Sequence, residues 1–146
     1  MAEILHHGAI DGVTGSCHQL FLNADDSVLI DCGMFQGDEA RDRELGQSQI
    51  DFPVDGVKAL FVTHVHIDHV GRIPYLMAAG FKGPIFASRA SARLLPLVIE
   101  DALKVGVTRD RQLIKAVVGE LEDRIIPVPF GEWLEADGEA FSFRYN

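Results

Sequence analysis

Two rhythms of apolar and polar positions divide the chain near Lys58. Before it, short apolar stretches are separated by turns, and three strands are predicted, over "EILHH", "HQLFLN" and "SVLID". A loop of small residues, "GAIDGVTGSC", separates the first two. The acidic turn "ADD" joins the second and third, and a tight Asn/Asp turn between two strands predicts an antiparallel hairpin. The following stretch, "CGMFQGDEARDRELGQSQIDFPVDG", predicts a polar connector with one helical turn at most.

After it the pattern becomes strand–helix alternation. "KALFV" is a nearly continuous apolar run, as expected of a strand buried on both faces. "HVGRIPYLMAAGF" predicts one helix closed by Gly80, and "GPIFAS" another strand. Ser88 is placed to cap a long helix ending near Gly106, which Pro96 should kink or restart because it lacks a backbone donor. Thr108 is placed to cap a third helix through "RDRQLIKAVVGELED". "RIIPVPF" and "EAFSFRYN" predict closing strands. No repeat, linker or low-complexity tract interrupts the series. The expected fold class is α/β, a layered protein with a mixed sheet.

Composition changes this picture little. A chain of 146 residues is one domain at most, and 47% hydrophobic and 24% charged residues are ordinary globular composition. No apolar stretch is long enough to span a bilayer, so no membrane partner is expected. The N-terminus lacks an export pattern, and two cysteines do not make a disulfide framework. Cytoplasmic localisation with Cys17 and Cys32 reduced and buried is the expectation. The net charge of −9 disfavours this segment as the main grip on nucleic acid. Lys104, Arg109, Arg111 and Lys115 read as a solvated helix face among acidic neighbours. Nucleic acid as a substrate is not excluded.

Chemistry concentrates in "THVHIDHVG", which carries three of the six histidines. Side chains alternate along a strand, so His64 and His66 are expected to point the same way beyond "ALFV". Asp68 and His69 follow where the chain turns into the next helix. Ligand-capable groups gathered just beyond a strand's carboxyl end occupy a usual site position in α/β sheets. Imidazole and carboxylate without thiolate suit Zn(II), and Mn(II) or Fe(II) as well. Three histidines and an aspartate at this spacing are hard to explain as solvated loop residues.

This motif resembles the metal-binding motif of the metallo-β-lactamase superfamily. With "GVTGSCHQLFL", "VLIDCGMFQG" and "GRIPYL", the chain is more narrowly similar to the β-CASP branch of RNA nucleases, including the cleavage-and-polyadenylation endonuclease and RNase J-like enzymes. The resemblance covers most of residues 1–90 and is looser beyond. It implies the N-terminal portion of an αββα sandwich and two divalent metal ions, most simply zinc. His64 and His66 would bind one ion, Asp68 and His69 the other, and Asp68 would be the catalytic carboxylate. Asp31 would sit behind the site and support the ligand loop; its alternative role is to cap the "CG" turn. The family's later motifs, a histidine, a bridging aspartate and a last histidine, have no counterpart in residues 1–146, nor does the β-CASP lobe. "FSFRYN" resembles the strand leading to the first of them. The chain is therefore expected to be part of a longer protein, and inactive by itself.

The leading expectation is metal-dependent hydrolysis of RNA phosphodiesters. A thioester, lactone or lactam hydrolase on the same metal core is the alternative within the superfamily, and a non-catalytic scaffold of an RNA-processing complex the alternative outside it. Self-association through an uncovered apolar face or edge strand is also expected. His6 and His7 read as surface groups; His18, after "TGSC", is placed where it could approach the site but reads better as a strand-edge histidine. "GVTGS" lacks the lysine of a phosphate cradle, and Ser16 lacks a triad's partners.

Overall fold

The computed structural model describes residues 2–44, 46–136 and 141–146. The N-terminal half begins with β1 (Glu3–Gly8), β2 (Cys17–Phe21) and β3 (Ser27–Ile30), as the alternation predicts. The β2–β3 turn is closed by Asn23, whose side-chain oxygen accepts from the amides of Asp25 and Asp26 at 2.9 Å each. A short helix, α1 (Gly37–Arg41), lies in the connector, and β4 (Val57–Phe61) follows.

The predicted single helix after the histidines is two short ones, α2 (Ile67–Val70) and α3 (Ile73–Ala78). Pro74 sits in the first turn of α3, where its missing N–H costs nothing; in a continuous helix the same proline would break the ladder. β5 (Ile85–Ser88) leads into α4 (Arg89–Gly106), with the Ser88 side chain accepting from the Ser91 amide as expected. Of the two expected outcomes at Pro96, a kink or a restart, the restart does not occur: α4 runs through it as one element. Buried Leu95, Ile99 and Leu103 hold both halves against the core, and packing overrides the lost hydrogen bond. For α5 (Arg111–Arg124) the cap is Asp110, not Thr108: Asp110 accepts from the amides of Gln112 and Leu113, while Thr108 accepts from that of Asp110.

β6 (Ile125–Val128) completes a six-stranded mixed sheet in the order β1-β2-β3-β4-β5-β6. The first three strands are antiparallel neighbours and the β3–β4, β4–β5 and β5–β6 pairs are parallel. β7 (Leu134–Ala136) and β8 (Phe141–Phe143) form a separate antiparallel pair. β7 was not expected from the sequence, and residues 139–140 of the expected closing strand lie outside the described residues.

Strand alternation divides the core. Leu29, Leu60, Val62, Ile85 and Ala87 face the side covered by α4 and α5, with Leu95, Ile99, Ile114 and Leu121. Val28, Ala59 and Phe86 face the other way, with Phe61, Phe141, Phe143 and Tyr145 packed against them. Phe61 stacks on Phe86 at 5.1 Å between ring centroids, and Phe143 meets both rings. β4 is therefore buried from both sides, which explains its unbroken apolar run. Cys17 and Cys32 are buried free thiols. Among the described residues no helix is long and apolar enough to cross a membrane.

Candidate metal centre

Parallel pairing brings the ends of β3 and β4 together, with Ile30 beside Phe61. Asp31, the next residue, adopts a left-handed conformation (φ 61°) that aspartate tolerates better than most side chains. Its amide donates to the Phe61 carbonyl at 2.8 Å. Its carboxylate, 2% exposed, reaches across the exit of β4. Oδ1 accepts from the Thr63 amide at 2.8 Å, and Oδ2 from the Thr63 hydroxyl at 2.8 Å and the His69 Nδ1 at 2.7 Å. The partners of Asp31 are thus the histidine-bearing segment rather than the "CG" turn, whose amides go to the carbonyls of His69 and Ser16.

These contacts assign protons. The His69 Nδ1 faces a carboxylate and so carries the hydrogen, which leaves Nε2 with a bare lone pair. The Thr63 hydroxyl gives its hydrogen to Asp31, so its oxygen, 3.0 Å from the His64 Nδ1, accepts from His64. His64 is thereby also left with a bare Nε2. One buried carboxylate fixes the tautomers of two imidazoles, directly in one case and through a threonine in the other.

The backbone holds the same geometry. The Ser16 amide donates to the Asp68 carbonyl, Cys32 to His69, Met34 to Ile67, and Arg72 to Cys32, all between 2.9 and 3.0 Å. Two loops, 14–16 and 31–34, thus grip the turn that carries Asp68 and His69. Gly33 makes this approach feasible, since a Cβ there would lie 1.6 Å from the Asp68 carbonyl oxygen. Arg72, fully buried, ties both loops: Nε donates to the Gly33 carbonyl and Nη2 to that of Gly15 at 3.4 Å. Its guanidinium packs on the Phe35 ring, 4.8 Å from the centroid.

His64, His66, Asp68 and His69 lie near one another in pairs, though not through the strand alternation expected of them. β4 ends at Phe61, so His64 and His66 lie past the strand and His66 is the residue preceding α2. The His64 ring is 4.7 Å from that of His66 and 3.9 Å from that of His69, between centroids. His69 Nε2 lies 3.6 Å from the Asp68 carboxylate. Burial, then the neighbouring His69 and His66, hold the His64 pKa below its ordinary value and keep the ring neutral, the ligating form. The donor chemistry, with two bare nitrogens beside a carboxylate, fits a borderline divalent ion. The side chains are packed against one another, however, and among the described residues no three His, Cys, Asp or Glu groups are already drawn round one point as an ion's ligands.

Other candidates fall differently. His6 is exposed, as expected, but His7 is half-buried, stacked on Phe52 and bonded to Gln19. His18 is not at an edge, because β2 lies between β1 and β3. Its Nε2 is 3.3 Å from the Ser16 hydroxyl, itself 3.5 Å from Asp31 Oδ2. Lys104, Arg109, Arg111 and Lys115 line a cleft of about 810 Å³ between α4 and α5 together with Glu100 and Glu122. Lys104 is paired with Glu100 at 2.6 Å. Thr63 and Arg72 were not singled out from the sequence. A threonine beside the first histidine and an arginine between apolar helical turns were the available signals, and only folding shows their partners.

The chain has relatives among known proteins. It is 41% identical over 143 residues to a ribonuclease of Thermus thermophilus, covering 97% of this chain and 31% of that protein. It is 34% identical over 106 residues to cleavage and polyadenylation specificity factor subunit 3-II of Arabidopsis thaliana, covering 70% of this chain and 17% of that protein. Among solved structures, a mutant flavo di-iron protein from Thermotoga maritima shares the fold with a TM-score of 0.50 at 18% identity, covering 98% of this chain and 32% of that one. The chain thus spans about a third or less of the length of these relatives. The β-CASP resemblance stands with them, and the fold is that of a partial metallo-β-lactamase domain. Residues 12–142 match the family model described as the metallo-beta-lactamase superfamily, and the chain belongs to that superfamily.

Proposed function

We propose that this chain carries part of the two-metal site of a ribonuclease that hydrolyses RNA phosphodiesters. The observation that carries the reading is the Asp31 carboxylate bonded to both His69 and Thr63, which leaves His69 and His64 with bare Nε2 atoms beside Asp68. His64 and His66 would hold one ion, Asp68 and His69 the other. Divalent ions, most simply zinc, would supply Lewis acidity toward the phosphoryl oxygen and lower the pKa of water toward neutrality. The chain's own residues bind and orient. Asp31 fixes the His69 ring, Thr63 fixes that of His64, and Asp68 presents a carboxylate on the exposed side of the turn. The further ligands and the main RNA-binding surface are proposed to come from sequence outside residues 1–146, given the share of the relatives that this chain covers.

The experiment is Asp68→Ala, and separately His66→Ala, in the full-length protein, with metal content and cleavage of a labelled RNA measured together. Both variants are expected to stay folded, to lose metal and to lose cleavage. Cleavage at the wild-type rate by the Asp68→Ala protein would overturn the assignment.

A further inference from the structure

We infer that His18 is a positioning residue for Asp31, acting through the Ser16 hydroxyl, and that His6 anchors its tautomer from the surface. The inference rests on a file of polar groups that runs from exposed His6 to His69. Cross-strand pairing sets His6 opposite His18, and their Nδ1 atoms are 2.7 Å apart. The His18 Nε2 lies 3.3 Å from Ser16 Oγ, Ser16 Oγ lies 3.5 Å from Asp31 Oδ2, and Asp31 Oδ2 lies 2.7 Å from His69 Nδ1.

The anionic end gives the file its direction. A hydroxyl has one hydrogen, and a carboxylate is a stronger acceptor than a neutral imidazole, so Ser16 donates to Asp31. Its oxygen then accepts from a His18 Nε2–H. With that nitrogen protonated, a neutral His18 has a bare Nδ1, so the atom facing it across 2.7 Å, the His6 Nδ1, must carry the bridging hydrogen. Every proton is thereby assigned: His6 to His18, His18 to Ser16, Ser16 to Asp31. His6 is driven into the Nδ1–H tautomer, the form less favoured by a free imidazole side chain. The two central links are long, so each is weak. The fully formed file gives Asp31 Oδ2 a third donor beside Thr63 and His69. A carboxylate sharing its charge among three donors attracts the His69 hydrogen less strongly than one with two, so the file sets how firmly the His69 ring is held.

The inference rests on the site proposed above but not on RNA as its substrate. Its test therefore needs neither metal nor nuclease activity. Nitrogen-15 NMR of the labelled, metal-free chain would read the ring tautomers of His6 and His18 and the Nδ1–H resonance of His69. The wild type is expected to show His6 as Nδ1–H and His18 as Nε2–H. Ser16→Ala should release His6 and His18 to mixed tautomers and move the His69 hydrogen, and Ser16→Thr, which keeps the hydroxyl, should restore both. His18→Phe should move the His69 resonance in the same sense as Ser16→Ala. In the full-length protein, Ser16→Ala is expected to change zinc affinity by about 2–10-fold, the effect of one hydrogen bond. A wild-type His6 in the Nε2–H form, or a His69 resonance unmoved by Ser16→Ala, would overturn the inference. If His18→Phe fails to fold, the Ser16 pair still decides.

Discussion

Asp31 and His69 are 38 positions apart in the chain, yet the carboxylate Oδ2 and the ring Nδ1 meet at 2.7 Å. The contact exists because parallel pairing of β3 with β4 places Asp31 at the exit of the strand that leads into the histidines. It sets the ring's tautomer and aims the opposite nitrogen at Asp68.

Asp31→Asn keeps the left-handed backbone, which asparagine tolerates, and removes the negative charge. Metal affinity of the full-length protein is expected to fall about 10–100-fold without vanishing. Asp31→Ala additionally removes the acceptor of Thr63 and His69, whose donors water can reach, at about 1 kcal/mol for each hydrogen bond lost. Chemical denaturation with metal titration separates the two effects. An Asn variant with unchanged affinity and rate would reduce Asp31 to a cap for β4.

Gly33→Ala places a methyl group where the Asp68 carbonyl oxygen lies 1.6 Å away. That atom is backbone in a turn held by four amides, so it cannot yield without moving Asp68 and His69. The stability loss should reach at least the range of about 1–3 kcal/mol seen for overpacking, with metal affinity falling too. A control at Gly119, where an added Cβ meets nothing within 4 Å, should be neutral or slightly stabilising.

Residues 1–146 alone are expected to bind zinc weakly and to leave RNA uncut. A catalytic zinc normally takes three protein ligands, and the proposed assignment offers two to each ion. Calorimetric titration of the purified chain checks the first statement and a labelled RNA the second. Tight binding of two ions with measurable cleavage would show that the site needs no further ligands.

Acid should destabilise the chain through its half-buried histidines. His7 and His18 have pKa values below the ordinary 6.5, in each case chiefly from burial. The unfolded chain then binds more protons than the folded one between the lowered values and 6.5. Stability is present in full above about 6.5 and is lost as pH falls through the lowered values. Denaturation midpoints should be level from pH 8 to 7 and decline toward pH 5. His7→Gln should flatten part of that decline.

Much of the molecule was legible in order along the chain. The strand over "KALFV", the cap at Ser88 and the close spacing of histidines and aspartate in "THVHIDH" depend on local periodicity and side-chain chemistry, which sequence displays directly. The helix expected as one element from "HVGRIPYLMAAGF" divides just before Pro74, and Asp110 rather than Thr108 caps α5, because near-equivalent local choices are settled only in the folded chain.

The site divides the same way. Residue types and spacing nominated His64, His66, Asp68 and His69, and Asp31 was added by the family resemblance. Tertiary structure decided that Thr63 relays Asp31 to His64, that Arg72 ties loops 14–16 and 31–34, and that His18 reaches Asp31 from an interior strand. Each depends on a hydrogen bond between segments distant in sequence: Thr63 to Asp31, Arg72 to Gly33 and Gly15, and Ser16 to Asp31. A donor's identity is written in its own residue, but its acceptor is chosen by which strands lie side by side and in what register.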